Sequence, residues 1–201
     1  MKPKAHPRYL LLRARCRAFL DLTQPWEGEV VRYAPLRFGK PGDLLSGEGS
    51  YQRGGRFNAR GTFRAVYASL DPQTATVEID GAYARYGLSA AAIPDSAKTP
   101  QVRVFLWFHL QHVLNLCDRH VRKAMEVTKA ELLAPWRTSH DEGEEAWTQA
   151  FGRAAQTCGI EAVLAPSRHR GGVNLVWFPE QRQKGSKVEI LHEDDLWRHL
   201  K

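Results

Sequence analysis

The nine-residue run Val102–Leu110 (VRVFLWFHL) does most to limit what this chain can become. It is dense in β-branched and aromatic side chains, too short to cross a membrane and too apolar to lie in solvent. It is therefore expected as a strand buried in a sheet. Shorter strand-like stretches accompany it at Gly28–Tyr33, Phe63–Ser69, Ile160–Ala165, Val173–Phe178 and Lys187–Leu191. Helical spacing marks Arg8–Leu22 and a segment that starts at Asp71-Pro72 and carries Ala75, Glu78, Ala82 and Arg85. It also marks Gly143–Cys158, which ends at Gly159, and Glu193–Leu200. Strands and helices mix without a regular βαβ rhythm, which indicates the α+β class. Ser89–Pro100 is expected as an Ala/Pro/Ser connection, and His120–Glu131 shows no clear period.

At 201 residues the chain has room for a single domain, 1–201, with a sizeable core, and its 43% hydrophobic content argues against disorder. No apolar run approaches the length of a membrane span, so no membrane partner is expected. Met1–Arg17 has only the patch Leu10–Leu12 between basic residues, so it is expected to belong to the mature chain. Three scattered cysteines, Cys16, Cys117 and Cys158, fit a reducing cytoplasm better than a disulfide framework. The net charge of +7 raises the question of nucleic acid. The arginines are scattered, however, and no nucleic-acid-binding signature accompanies them, so direct nucleic-acid binding is not expected. A basic nucleic-acid-binding module is kept as a rival reading, which predicts affinity that falls steeply with salt.

One group of arginines is different. Arg32, Arg37, Arg53, Arg56, Arg60 and Arg64 lie in or beside Pro35–Gly61, where seven glycines and two prolines in 27 residues are expected to form a long loop. Such loops are usually functional. Basic residues among glycines suit a small polyphosphate better than a duplex.

The informative order is Arg32-Tyr33, then Gly54-Gly55-Arg56-Phe57-Asn58, then Val66-Tyr67-Ala68-Ser69, then Glu78. Arg56, Tyr67 and Glu78 follow each other at intervals of eleven, and Ala165-Pro166-Ser167 and Asn174-Leu175-Val176 come far downstream. This order resembles the RES-domain family, named for its arginine, glutamate and serine, over roughly Val30 to Pro179. The resemblance implies an ADP-ribosyltransferase-like domain with a split, mostly antiparallel β core and flanking helices. Its motif-bearing part is about 30–179, with 1–27 as an N-terminal extension and 180–201 as a final strand and helix. It further implies the toxin of a toxin–antitoxin system, an enzyme that depletes NAD⁺. NAD⁺ is then substrate rather than prosthetic group, and the partner is a cognate, Xre-like antitoxin. A homodimer is the default oligomer.

The chemistry of the residues agrees. NAD⁺ offers a pyrophosphate that an arginine fork grips bidentately, so Arg32 and Arg56 are expected clamps. Gly55, among the glycines around Arg56, would let the backbone approach the ligand closely. Breaking the nicotinamide–ribose bond develops positive charge on the ribose carbon, which a carboxylate such as Glu78 stabilises. Tyr67 is expected to stack on the nicotinamide, and Ser167 to hydrogen-bond and orient phosphate or ribose. Tyr33, Gly55, Asn58 and Asn174 complete the expected substrate contacts. Whether the acceptor is phosphate, water or a protein side chain stays open. So phosphorylase, glycohydrolase and ADP-ribosyltransferase are all compatible with the residues. The basic stretch Arg168–Gly172 has two readings, an added phosphate contact or a surface loop, and the loop is favoured. His109, His112, Cys117 and His120 include four zinc-type ligands in twelve residues but lack a second half-site, so no metal is expected.

Overall fold

The computed structural model of the chain describes residues 3–84, 100–168 and 171–192. The central element is β3 (Gln101–Asn115), longer at both ends than the apolar run that marks it. One of its edges pairs antiparallel with β1 (Gln24–Pro35), from Gln24–Val113 to Pro35–Gln101. The other edge receives β6 (Lys187–Leu191), antiparallel, and beyond it β4 (Ala162–Pro166), parallel. β4 pairs antiparallel with β5 (Val173–Trp177), β5 with β2 (Val66–Ser69), and β2 meets β1 at Val31–Ser69. The pairings thus return to β1, and all of them but β3–β4 are antiparallel.

The period of two along these strands divides the interior into two cores. Val66, Ala68, Ala162, Leu164, Leu175 and Trp177 face inward onto Val104, Leu106, Phe108 and Leu110 of β3. Tyr67, Val163, Ala165, Val176 and Phe178 alternate to the other face. There they pack against α1 (Tyr9–Ala18) and α8 (Trp147–Thr157), which supply Leu12, Cys16, Phe151 and Ala154. Burial pushes the Cys16 thiol up to about 12, so Cys16 is a packing residue.

Late in β3 the register slips by one residue, where Trp26 pairs with Leu110 but Gln24 with Val113. A fully buried carboxylate secures this bulge. Glu161 Oε2 accepts the N–H groups of Gln111 (2.7 Å) and His112 (3.0 Å), and Oε1 that of Gln183 (2.9 Å). The bulge moves Leu114 into the helix-side core, whereas Val113 stays with the other.

The glycine-rich stretch departs furthest from expectation. Instead of one long loop it holds a 3₁₀ turn (Leu36–Phe38) and two short helices, α2 (Pro41–Ser46) and α3 (Glu48–Arg53). Pro41 suits the first turn of α2, and Gly47, at φ +68°, separates the two helices. The strand expected at Phe63–Ser69 is shortened to Val66–Ser69. His120–Glu131 contributes α5 (Arg119–Ala124) and most of α6 (Lys129–Leu133), the latter started by a Thr128/Glu131 capping box. A further turn of helix, α7 (Arg137–Asp141), follows. The expected helix at 71–85 is α4 (Pro72–Ala84). The expected helix Glu193–Leu200 and most of the Ser89–Pro100 connection lie outside the described residues, as does Arg85. No helix among the described residues is long and apolar enough to cross a membrane, and all three cysteines are free.

Candidate active site

A cleft of about 790 Å³ opens where β1, β2, β4 and β5 meet the glycine-rich region and α4. Five arginines line it, Arg32, Arg53, Arg56, Arg137 and Arg168, together with a single carboxylate among the described residues, Glu78. Tyr33, Gly55, Tyr67, Trp136 and Asn174 complete much of the wall.

The placement of Glu78 follows from the start of α4. Asp71 accepts the Thr74 N–H and hydroxyl, both at 2.7 Å, which fixes the first turn of the helix. Glu78 lies one turn further along. Its Oε1 accepts Ser167 Oγ at 2.6 Å and Asn174 Nδ2 at 2.7 Å, and Asn174 Oδ1 in turn accepts Ser69 Oγ at 2.7 Å. Ser69 and Asn174 are register partners of β2 and β5, and Ser167 follows the end of β4. The sheet thus holds one carboxylate oxygen from two sides, while Oε2 takes part in neither bond. Ser167 and Asn174, expected to meet substrate, here orient the carboxylate.

Arg32 projects from β1, where its Nη1 donates to the Tyr67 carbonyl at 2.7 Å. Its Nε is fully buried without a hydrogen-bond partner, while the residue as a whole lines the cleft wall. Burial lowers its pKa to about 10, so it remains a cation at neutral pH. Arg56 is anchored differently, through Nη1 to Leu132 O (3.0 Å) and Ala134 O (3.4 Å). Burial and then the neighbouring Arg168 hold its pKa below the ordinary arginine value, while Glu78 opposes the shift.

Tyr67 ties the glycine-rich loop to the sheet. Its hydroxyl accepts the Phe57 N–H at 2.9 Å and donates to Asn58 Oδ1 at 2.7 Å. Burial pushes this phenol up, so it stays protonated. Gly55 lies against the ring, and a Cβ there would collide with the Tyr67 hydroxyl. Gly152 of α8 likewise lets the Phe57 carbonyl approach where no side chain fits, and Gln149 Nε2 donates to Gly55 O at 3.0 Å. The loop is thereby wedged between α8 and β2.

Arg32, Tyr33, Gly55, Arg56, Tyr67, Glu78 and Asn174 therefore line one cleft, and Ser167 reaches it through Glu78. Asn58 does not line it. Asn58 is fully buried and gives its amide to Ser50 O and Phe63 O, so it shapes the loop. Arg53, from the arginine group of the glycine-rich stretch, and Arg168 join the wall, as do Trp136 and Arg137, which the sequence did not single out. Arg168 is exposed, as a surface loop implies, and it also lines the cleft and donates to Leu133 O at 3.2 Å. The histidines serve separate partners, His109 bonding Glu27 and Gln111 and His112 bonding Thr23. Among the described residues no three metal-ligating side chains come together.

This geometry has counterparts. The chain is 27% identical over 179 residues to the NAD(+) phosphorylase MbcT of Mycobacterium bovis and of Mycobacterium tuberculosis, covering 87% of this chain and 85% of those proteins. Its fold is similar to that in the crystal structure of the M. tuberculosis MbcT–MbcA toxin–antitoxin complex. That match has a TM-score of 0.62 at 24% identity, over 93% of this chain and 95% of the other. The RES domain profile matches residues 29–199, which span Arg32, Arg56, Glu78 and Ser167, and the chain belongs to the RES domain family.

Proposed function

We propose that this protein cleaves the nicotinamide–ribose bond of NAD⁺ and passes the ADP-ribosyl group to inorganic phosphate. The observation that carries the reading is the cleft itself, with five guanidiniums around one carboxylate held by Ser167 and Asn174. Guanidiniums match the pyrophosphate, and Arg32 and Arg56, both in the cleft wall, are its clamps. Tyr67 and Tyr33 present ring surface for the nicotinamide and ribose. Glu78 stabilises the ribosyl cation as the carbon–nitrogen bond opens. The bonding pair leaves with nicotinamide and neutralises its ring. A phosphate oxygen then forms the new bond to the ribose carbon, giving ADP-ribose 1″-phosphate.

The likeness to a named NAD(+) phosphorylase over most of both chains supports phosphate as acceptor. The fold match to a toxin–antitoxin complex supports a toxin role with an antitoxin partner, and we take that partner to be a cognate, Xre-like protein that covers the cleft. NAD⁺ depletion places the action in the cytoplasm.

Incubation of the purified protein with NAD⁺, with and without inorganic phosphate, tests the reading. Phosphate-dependent formation of ADP-ribose 1″-phosphate and nicotinamide is expected. Free ADP-ribose would assign the step to water, and modified protein would assign it to a side-chain acceptor.

A further inference from the structure

Five guanidiniums exceed what one pyrophosphate requires, and two of them are held in a distinctive way. Arg56 arrives from the loop after α3, and Arg168 from the end of β4. Both end on consecutive carbonyls, Arg56 on Leu132 O and Ala134 O and Arg168 on Leu133 O. These oxygens belong to the C-terminal end of α6, where a helix leaves carbonyls unpaired and its dipole favours cations. Each guanidinium is therefore fixed through one nitrogen. Neither is in an ion pair among the described residues, and a guanidinium has five N–H donors in all.

The two are close enough that Arg168 lowers the pKa of Arg56. Like charges gathered around a single carboxylate, with no ion-pair partner of their own among the described residues, form a seat for an anion. Both line the same cleft as Glu78, whose charge acts on Arg56. Arg168 is exposed, which lets a small anion reach it from solvent.

The geometry points to Arg168, paired with Arg56, as the seat of the acceptor, an inorganic phosphate held next to the ribose carbon that opens at Glu78. This assignment rests on the NAD⁺-cleaving reading above and gives its acceptor a place. HPO₄²⁻ supplies the oxygen that bonds to the ribose carbon, and its proton stays on the phosphate. Nicotinamide takes the electron pair of the broken bond, so no oxidant or further reactant is needed. Arg56 faces both anions, whereas Arg168 belongs to the acceptor alone.

Initial rates with NAD⁺ and phosphate varied separately test this, for the wild type, Arg168→Ala and Arg168→Lys. Arg168→Ala is expected to raise the KM for phosphate about tenfold or more, through loss of a charge-assisted contact. At fixed phosphate its products shift toward ADP-ribose, while the KM for NAD⁺ stays within about twofold. Arg168→Lys keeps the charge but loses the planar fork and falls between. An unchanged KM for phosphate in folded Arg168→Ala overturns the assignment. An equal rise in the KM for NAD⁺ also overturns it, by placing the dinucleotide's own phosphates at this seat. A wild-type protein that leaves NAD⁺ intact overturns the parent reading and the seat with it, a result visible before any variant is made.

Discussion

Ser167 and Glu78, 89 positions apart in the chain, meet through a 2.6 Å hydrogen bond from Oγ to Oε1. The same oxygen accepts Asn174 Nδ2 at 2.7 Å, so two strand-borne donors aim one carboxylate carried on a helix. Removing either donor leaves the charge in place and loosens its direction. Ser167→Ala and Asn174→Ala are each expected to lower kcat about tenfold or more, with a smaller effect on the KM for NAD⁺. In the Glu78→Gln background neither adds a comparable loss, because the three residues act as a unit. Steady-state kinetics of the single and double variants checks this coupling.

Tyr67 and Gly55 are predicted to be structural partners of the clamp. Tyr67→Phe strips the Phe57 N–H and Asn58 Oδ1 of a shared partner, which costs about 1–3 kcal/mol of stability. Gly55→Ala drives a methyl group into the Tyr67 hydroxyl and shifts the loop that carries Arg56. Both variants are expected to unfold at lower denaturant and to bind NAD⁺ more weakly, with Gly55→Ala the worse for binding.

The buried Arg32 gives the site an alkaline limit. Its pKa falls from the ordinary arginine value to about 10 in the folded chain, so folding disfavours its charged form. That burial opposes stability below about pH 10, and the opposition is relieved as pH rises above about 10 toward the ordinary arginine value. Binding runs the other way, because a neutral guanidine is a poorer clamp for phosphate. The KM for NAD⁺ is therefore expected to be flat near neutrality and to rise above about pH 10. Arg32→Gln is expected to show a high KM throughout, without that inflection.

Glu161 supports the frame from outside the cleft. Glu161→Ala leaves the N–H groups of Gln111, His112 and Gln183 without their acceptor inside the protein, at about 1–3 kcal/mol for each group that stays dry. A loss of several kcal/mol in denaturant unfolding is expected. A loss below about 1 kcal/mol would show that the bulge stands without it.

The strand pattern was readable because alternation along β2, β4 and β5 follows directly from burial on two faces, as in Val163 against Leu164. The same pattern could not show the β3 bulge, which depends on Glu161 from a distant segment. Pro35–Gly61 looked like loop because its glycines mask two helices that have no continuous apolar face. The Thr128–Glu131 box was a legible signal for α6 that a search for period alone passes over. At the site, motif order pointed to Arg32, Arg56, Tyr67 and Glu78. It carried no sign of Trp136 or Arg137, which enter the cleft by tertiary folding, and for Arg168 it left a phosphate contact and a surface loop as alternatives. Asn58 looked like a ligand contact because a buried loop-shaping amide and an exposed one read alike in sequence.

The most direct test of the central claim is the rate of nicotinamide release from NAD⁺ by the wild type and Glu78→Gln, side by side in phosphate. Glu78 is exposed, so the substitution is expected to leave thermal unfolding nearly unchanged. Loss of its charge is expected to slow release about 10²-fold or more. Equal rates for the two proteins, or intact NAD⁺ with the wild type, would contradict the account.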